Sequence, residues 1–170
     1  MEALCCGTPF ESKGFIAQAD AKARELEAAL LEATDGGRLP VLVDTSPCLY
    51  RMQKVMGQRL TLLDPVEFTL THLMGRLQVT PVDETIAYHH TCSSVKMGLE
   101  AKAMTLAKAC AKNVVVPEQV GCCGFAGDRG FNYPELNASA LQHLRALTDS
   151  VVQLPLNAAT LPARSAVLRS

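Results

Sequence analysis

Apolar positions along the chain predict helices that alternate with strands. Within residues 15–34, Ala19, Ala23, Leu26 and Leu30 recur at helical spacing, and an Asp-Gly-Gly sequence then ends the helix. Short apolar runs bounded by proline or polar turns have instead the pattern of buried strands. Such runs predict strands at 40–44, 60–63, 85–90, 113–117 and 150–155. Helical spacing and capping residues predict further helices through 53–57, over 64–75, from about 93 with Ser93 or Ser94 as its cap, and from about 134.

This alternation predicts an α/β fold with a mainly parallel sheet. The chain also contains an internal duplication. Cys5-Cys6-Gly7 is followed by Gly14-Phe15 and a helix, and Cys122-Cys123-Gly124 is followed by Gly130-Phe131 and a helix, with intervals that differ by one residue. We therefore expect one domain, residues 1–155, made of two diverged βα repeats around a pseudo-twofold axis. The repeats would cover about 1–60 and 85–155, and residues 156–170 would form a loose tail.

Charge and composition exclude several classes of function. Sixteen Lys and Arg against seventeen Asp and Glu give a net charge of −1, with no block of like charge, so neither nucleic acid nor an anionic membrane surface is an expected partner. No signal peptide opens the chain, and no apolar stretch reaches the roughly 18 to 20 residues of a membrane span. The sequence predicts a cytoplasmic protein without a transmembrane segment.

Seven cysteines are the unusual feature of the composition. In a reducing compartment, paired thiols point to metal binding or redox work rather than to a disulfide scaffold. Because the carboxyl ends of parallel strands meet at one edge of a sheet, we expect the thiols that follow strands to converge there. Thiolates would bind zinc or an iron–sulfur cluster, or form a redox pair. The six candidate ligands are Cys5, Cys6, Cys48, Cys92, Cys122 and Cys123, whereas Cys110 lies in a helical run and is expected to pack as a small apolar residue.

Four other side chains lie close to these cysteines in the sequence. His89 and His90 precede Cys92 and would support its thiol, bind a metal, or only pack at the strand end. Asp128 and Arg129 follow the second Cys-Cys-Gly and would hydrogen bond cluster sulfurs or a substrate carboxylate, or simply form an ion pair across a turn. The sequence leaves these alternatives open.

Several of these segments resemble a known family. The sequence Cys-Cys-Gly-Phe-Ala-Gly at 122–127, preceded by Tyr-His-His-Thr-Cys at 88–92, resembles the cysteine-rich CCG domain. That domain occurs in the heterodisulfide reductase B subunit, in the iron–sulfur subunit of glycolate oxidase and at the C-terminus of FAD-linked D-lactate dehydrogenases. The last group is the most similar, since the segments 5–15, 43–48, 92–99 and 127–131 resemble it as well. The resemblance extends over residues 1 to about 145.

The resemblance implies a ligand set for each copy. A full repeat of the family has a leading Cys, a Cys-Cys-Gly and a closing Cys-x-x-Cys. The first copy lacks the leader and has Thr45 in place of the first closing cysteine, while the second has Cys92 as leader but no closing pair. Each copy thus retains three of five ligands. This set suits a 4Fe–4S cluster or a zinc ion, and a histidine before the leader, as in this family, would lie beside the site.

The function that this resemblance implies is electron transfer in an FAD-linked 2-hydroxy-acid oxidoreductase, acting on D-lactate or glycolate. The chain would be a fragment or a separately encoded subunit, and its partner would be the FAD-binding module. Through that complex the chain would lie in the cytoplasm or peripherally on the inner membrane. Hydride chemistry would lie in that partner, because no Gly-x-Gly-x-x-Gly follows any predicted strand. Two alternatives remain, a zinc-binding or metal-free docking domain and a thiol–disulfide redox protein, and a homo-oligomer stays open.

Overall fold

The computed structural model describes residues 4–117, 122–125 and 129–143. Helices and strands alternate through most of this part of the chain, as the apolar pattern predicts, with short helices at 8–11 and 129–132 that it did not predict. The helices are α1 (Thr8–Glu11), α2 (Ile16–Ala33), α3 (Ser46–Met56), α4 (Pro65–Phe68, continued by a π-helical turn at Thr69–Leu73), α5 (Cys92–Lys96), α6 (Glu100–Cys110), α7 (Arg129–Asn132) and α8 (Pro134–Ala140); the strands are β1 (Val41–Leu42), β2 (Leu62–Leu63), β3 (Val82–Ala87) and β4 (Ala111–Val115).

The described strands pair in parallel, which confirms the α/β fold class. β1 pairs with β2, with Val41 opposite Leu62, and β3 pairs with β4, with Ile86 opposite Val114. The expectation of one sheet needs correction, because these four strands form two separate two-stranded sheets. Each strand–helix–strand crossover brings its own two strands together locally, and the apolar pattern does not encode which pairs then join. The predicted strand at 150–155 and the tail at 156–170 lie outside the described residues, and the repeat boundaries stay a prediction.

The main hydrophobic core lies in the first half of the described chain. Helix α3 contributes Leu49, Met52 and Met56, and α2 packs against it through Ala23 and Leu30. The helical stripe predicted for residues 15–34 is therefore the face that α2 buries. Burying one large apolar side chain of this kind contributes roughly 1.5–3 kcal/mol. Cys6 belongs to the same buried cluster, together with Leu60 and Leu62.

Two helix starts show how local sequence positions the elements. The Asp64 side chain accepts a hydrogen bond from the Val66 N–H at 2.7 Å, as expected of an N-cap that precedes a proline. At α5 the cap is Thr91, whose hydroxyl accepts from the Ser94 N–H at 3.3 Å, rather than either predicted serine. Gly98, with φ of +69°, separates α5 from α6, so the single helix predicted here is two.

Candidate metal or redox site

The first Cys-Cys-Gly loop brings its thiols next to Cys48. Cys5 and Cys6 lie just before α1, and Cys48 lies in the first turn of α3. Cys6 is only 4% exposed, whereas Cys5 and Cys48 are half-buried. A hydrogen bond joins Cys6 Sγ and Thr8 Oγ1 at 3.2 Å, and the Gly7 N–H donates to Cys5 Sγ at 3.4 Å. Three of the six predicted ligands are therefore neighbours.

Burial, hydrogen bonds and charge shift the pKa values of Cys6 and Cys48 in opposite directions. Burial alone would raise the pKa of Cys6, but hydrogen bonds to its sulfur from Thr8, Cys48 and Cys5 outweigh burial and lower it. Burial, the hydrogen bond to Cys6 and the negative charges of Cys6, Cys5 and Asp44 raise the pKa of Cys48 to about 12. Of the two thiols, Cys6 therefore loses its proton at a lower pH than Cys48.

Gly7 determines how closely this loop approaches α2. Its φ is +88°, and a Cβ built on it would lie 2.3 Å from the carbonyl oxygen of Ala19. Both the left-handed backbone and the close approach exclude a side chain. The glycine therefore lets the two cysteines pack directly on the helix.

Arg51 holds the same loop from the side of α3. Its side chain is about 4% exposed, and its Nε donates a 2.8 Å hydrogen bond to the carbonyl oxygen of Cys6. The terminal nitrogens form ion pairs with Asp20 at 2.8 Å and with Glu11 at 2.5 Å. A buried guanidinium needs such partners, since an unpaired buried charge is strongly destabilising.

The second Cys-Cys-Gly loop repeats the local geometry of the first. Gly124 has φ of +73°, and a Cβ on it would lie 2.4 Å from the carbonyl oxygen of Leu136. Its N–H donates to Cys122 Sγ at 3.3 Å, as Gly7 does to Cys5. In both copies the carbonyl that meets the glycine is twelve residues further along the chain. The duplication seen in the sequence is thus a duplication of backbone structure.

Burial separates the two copies. Cys92, Cys122 and Cys123 are all exposed, in contrast to the thiols of the first copy. Cys92 is the first residue of α5, whose first turn meets that of α3, because the Ser46 hydroxyl lies 3.3 Å from the Thr91 hydroxyl and 3.2 Å from that of Ser93. The two helix starts that carry Cys48 and Cys92 are therefore adjacent.

The described residues do not present a preassembled metal cage. Among 4–117, 122–125 and 129–143, no group of three or more His, Cys, Asp or Glu side chains is arranged to hold a metal ion. The chemistry of Cys5, Cys6 and Cys48 suits a thiophilic metal, but the three sulfurs would have to reorient to bind one ion. The six-cysteine ligand set stays a prediction.

The other predicted residues have different surroundings. The His90 ring packs edge-on against Tyr88, with centroids 4.8 Å apart, and its buried Nδ1 has no hydrogen-bond partner among the residues that the structure describes. Burial, assisted by the charge of Asp64, raises the pKa of Tyr88. His89 is half-buried two residues after the end of β3, Arg129 is exposed at the start of α7, and Asp128 lies outside the described residues.

The expectation that Cys110 packs in the core is wrong. Cys110 is exposed at the last position of α6, whose buried residues are Ala103 and Ala107. By helical spacing Cys110 lies on the same side of α6 as Ala103, seven residues earlier, but the helix ends at Cys110 and Ala111 already begins β4. The prediction failed because it did not place the end of the helix at Cys110, where the chain leaves the thiol exposed.

Sequence reasoning missed the residues that hold the two loops from outside. These are Thr8 and Arg51 in the first copy and Asn137 in the second, where the amide of Asn137 donates to the carbonyl oxygen of Cys123 at 2.9 Å. A charged or polar residue in a helical pattern normally predicts a solvated face. One signal was present, because Asp20 and Asn137 each lie thirteen residues after the glycine of their loop.

Comparison with known proteins supports the cysteine-rich assignment for the second half of the chain. No curated protein and no solved structure matches the chain. No helix among the described residues has the length and apolar character needed to cross a bilayer. Residues 86–154, which include Cys92, Cys122 and Cys123, match the family model of the CCG cysteine-rich domain. This part of the chain is thus similar to that family, as its motifs predict, and the match indicates a metal-binding or redox module.

Proposed function

We propose that this protein is an iron–sulfur electron-transfer module, located in the cytoplasm, that works with the FAD-binding part of a 2-hydroxy-acid oxidoreductase. One observation carries the proposal: Cys5, Cys6 and Cys48 lie together, and hydrogen bonds within this group lower the pKa of Cys6. Thiolates are the protein ligands of iron–sulfur clusters. The CCG match over residues 86–154 supports a site of the same kind in the second copy.

The charges in the first copy favour a cation. Burial first, then the hydrogen bond to Cys6 and the charge interactions with its acidic neighbours, raise the pKa of Cys48 to about 12. A metal centre would offset this repulsion, since a coordinating thiol loses its proton outright. The same centre would require the sulfurs to turn toward one point. Hence we expect binding to reorder the loop rather than to fill a rigid cage.

The residues of the chain would hold such a centre and limit its contact with water. A 4Fe–4S cluster, when bound, would supply one-electron transfer between the reduced flavin of the partner and an acceptor. Cys5, Cys6 and Cys48 would bind it in the first copy, and Cys92, Cys122 and Cys123 in the second. The main-chain N–H of Gly7 donates to a ligand sulfur, a contact of the kind that tunes the reduction potential of a cluster.

Anaerobic reconstitution tests this proposal. The full chain is reduced, supplied with iron and sulfide or with zinc, and examined by metal and sulfide analysis, visible absorption and electron paramagnetic resonance. We expect bound iron and sulfide, with at least half of the iron lost in Cys6→Ser. Cys110→Ser is the matched control, since Cys110 is an exposed thiol on the last residue of α6. Stoichiometric zinc without iron would overturn the cluster and favour the zinc-binding docking domain.

The partner is tested separately with a flavoprotein. The reconstituted chain is mixed anaerobically with the FAD-containing part of a D-lactate dehydrogenase reduced by D-lactate, or with a glycolate-oxidising flavoprotein reduced by glycolate. Faster oxidation of the flavin in the presence of the loaded chain supports the assignment. Equal rates with the loaded and metal-free chains would contradict it.

A dithiol redox protein is the second candidate, and the pairing of Cys6 with Cys48 favours it. A thiol of lowered pKa that is hydrogen bonded to a protonated thiol is suited to thiol–disulfide exchange. The Cys6 and Cys48 sulfurs would join, and an external disulfide would take the two electrons and become two thiols. Oxidised glutathione followed by peptide mass spectrometry tests this. A Cys6–Cys48 linkage in metal-free protein would support the candidate, and persistently free thiols would exclude it.

A further inference from the structure

The same peptide group is held at both ends in each Cys-Cys-Gly loop. In the first copy, the carbonyl of Cys6 accepts from Arg51 at 2.8 Å, and the N–H of Gly7, in the same peptide unit, donates to Cys5 Sγ at 3.4 Å. In the second copy, the carbonyl of Cys123 accepts from Asn137 at 2.9 Å, and the N–H of Gly124 donates to Cys122 Sγ at 3.3 Å.

A peptide unit is planar, so its carbonyl and its N–H turn together. A donor that holds the carbonyl therefore also sets the direction of the N–H on the other side. Glycine makes this control necessary, since a residue without Cβ has the greatest freedom to rotate the peptide. Without the donor, the N–H would no longer be aimed at the sulfur.

We propose that Arg51 and Asn137 are positioning residues that aim a glycine N–H at the first cysteine of each pair. In each loop, the residue thirteen positions after the glycine takes part in holding the carbonyl. Asn137 donates directly to the carbonyl, and Asp20 acts through the guanidinium of Arg51. The inference rests on the proposed function only in treating Cys5 and Cys122 as site thiols.

The two solutions match the surroundings of each loop. The carboxylate side chain of Asp20 cannot donate a hydrogen bond to the carbonyl. The first loop therefore uses the longer side chain of Arg51, which reaches from α3 and is neutralised by Asp20 and Glu11. Gly130 leaves room for Asn137, because a Cβ on Gly130 would lie 2.5 Å from Asn137 Oδ1. The second loop thus uses a short neutral donor from its own helix.

Amide hydrogen exchange followed by NMR tests the proposal in the full, reduced and metal-free chain. In Asn137→Asp the side chain keeps its size but cannot donate. We expect the Gly124 amide to exchange about fivefold faster, the factor that fits the net strength of an ordinary hydrogen bond. Gly7 should be unchanged and serves as the internal control. Equal Gly124 rates in the two proteins, or matching increases at Gly7 and in α2, would overturn the proposal.

A transplant between the copies provides the second test. Arg51→Met removes the donor and should speed exchange at Gly7 about tenfold, because a hydrogen bond from a charged donor is stronger. Adding Asp20→Asn places the arrangement of the second copy in the first, and the double variant should recover at least half of the lost protection. Asp20→Asn alone, which leaves Arg51 in place, is the matched control.

The double variant decides between positioning and general support. If Arg51 only supports the structure in general, the Gly7 amide of the double variant will exchange as fast as in Arg51→Met, and amides along α2 will exchange faster as well. That result would overturn the proposal. If Arg51→Met does not fold, the exposed second copy carries the decision through Asn137→Asp. Because the measurement uses metal-free protein, failure to bind iron or zinc would sink the proposed function and leave this inference intact.

Discussion

The two Cys-Cys-Gly loops share a backbone geometry but differ in their surroundings. In each, a glycine with positive φ packs on a helix and donates its N–H to the first cysteine. The first loop is packed into the main core, with Cys6 buried, whereas both cysteines of the second loop are exposed. Loop geometry is thus encoded locally, and burial is added by the helices that pack around it. A difference in thiol chemistry follows from burial.

Thiol reactivity should show the largest difference between the copies. Alkylation requires the thiolate, and with a pKa of about 12 Cys48 holds roughly a thousandfold less thiolate at pH 8 than an ordinary thiol with pKa of about 8.5. We expect the exposed thiols, among them Cys122 and Cys123 of the second loop, to react first, and Cys48 to react last. Pulse alkylation of the metal-free chain with peptide mass spectrometry measures each rate.

The pH dependence of the same rates tests the sign of each shift. A raised pKa keeps Cys48 protonated as the pH increases, so its rate should rise about tenfold per pH unit to near pH 12. The lowered pKa of Cys6 predicts a rate that levels off at a lower pH than that of Cys48. A Cys48 rate that becomes constant below about pH 9 would contradict this account.

Glycine replacements should rank next. Gly7→Ala places a Cβ 2.3 Å from a backbone oxygen at φ of +88°, and we expect the free energy of unfolding to fall by about 2–5 kcal/mol. Gly14→Ala is the matched control, since Gly14 has φ of +85° with no atom within 4 Å of the added Cβ, and should lose about 1 kcal/mol. Urea unfolding measures both.

Gly124→Ala refines the same comparison between the two copies. The added Cβ would lie 2.4 Å from the Leu136 carbonyl oxygen. Because Cys122 and Cys123 are exposed, this loop can shift with less disturbance of the core than the first loop. We expect a smaller loss than for Gly7→Ala. Equal losses would show that the two loops are held with equal rigidity despite their different burial.

Helix caps should give the smallest difference between the copies. Thr91 caps α5, whereas Thr45, at the corresponding position before α3, donates instead to Asp44 at 3.1 Å. Thr91→Ala should lower the free energy of unfolding by about 1 kcal/mol, and Thr45→Ala by only a few tenths of a kcal/mol. Thermal or urea unfolding distinguishes these values. A larger loss for Thr45→Ala would mean that its contact with Asp44 matters more than the cap.

Particular residues show where reasoning from the sequence succeeds. The stripe of Ala19, Ala23, Leu26 and Leu30 predicted the face of α2 that packs on the core, where Leu26 is only partly buried, and Asp64 with Pro65 predicted the start of α4. Both signals are local, because helical period and capping depend on residues a few positions apart. Strand pairing is not local, and the single predicted sheet is two sheets in the described residues.

By itself, the sequence determined the alternation of helices and strands, the duplicated Cys-Cys-Gly loop and the match of residues 86–154 to a cysteine-rich domain. Only the tertiary structure decided that Cys6 is buried beside Cys48, that Arg51 holds the first loop and that Cys110 is exposed. The reason is physical. Periodicity and turn chemistry act over a few residues, whereas burial and the charge that shifts a thiol pKa depend on elements distant in the chain.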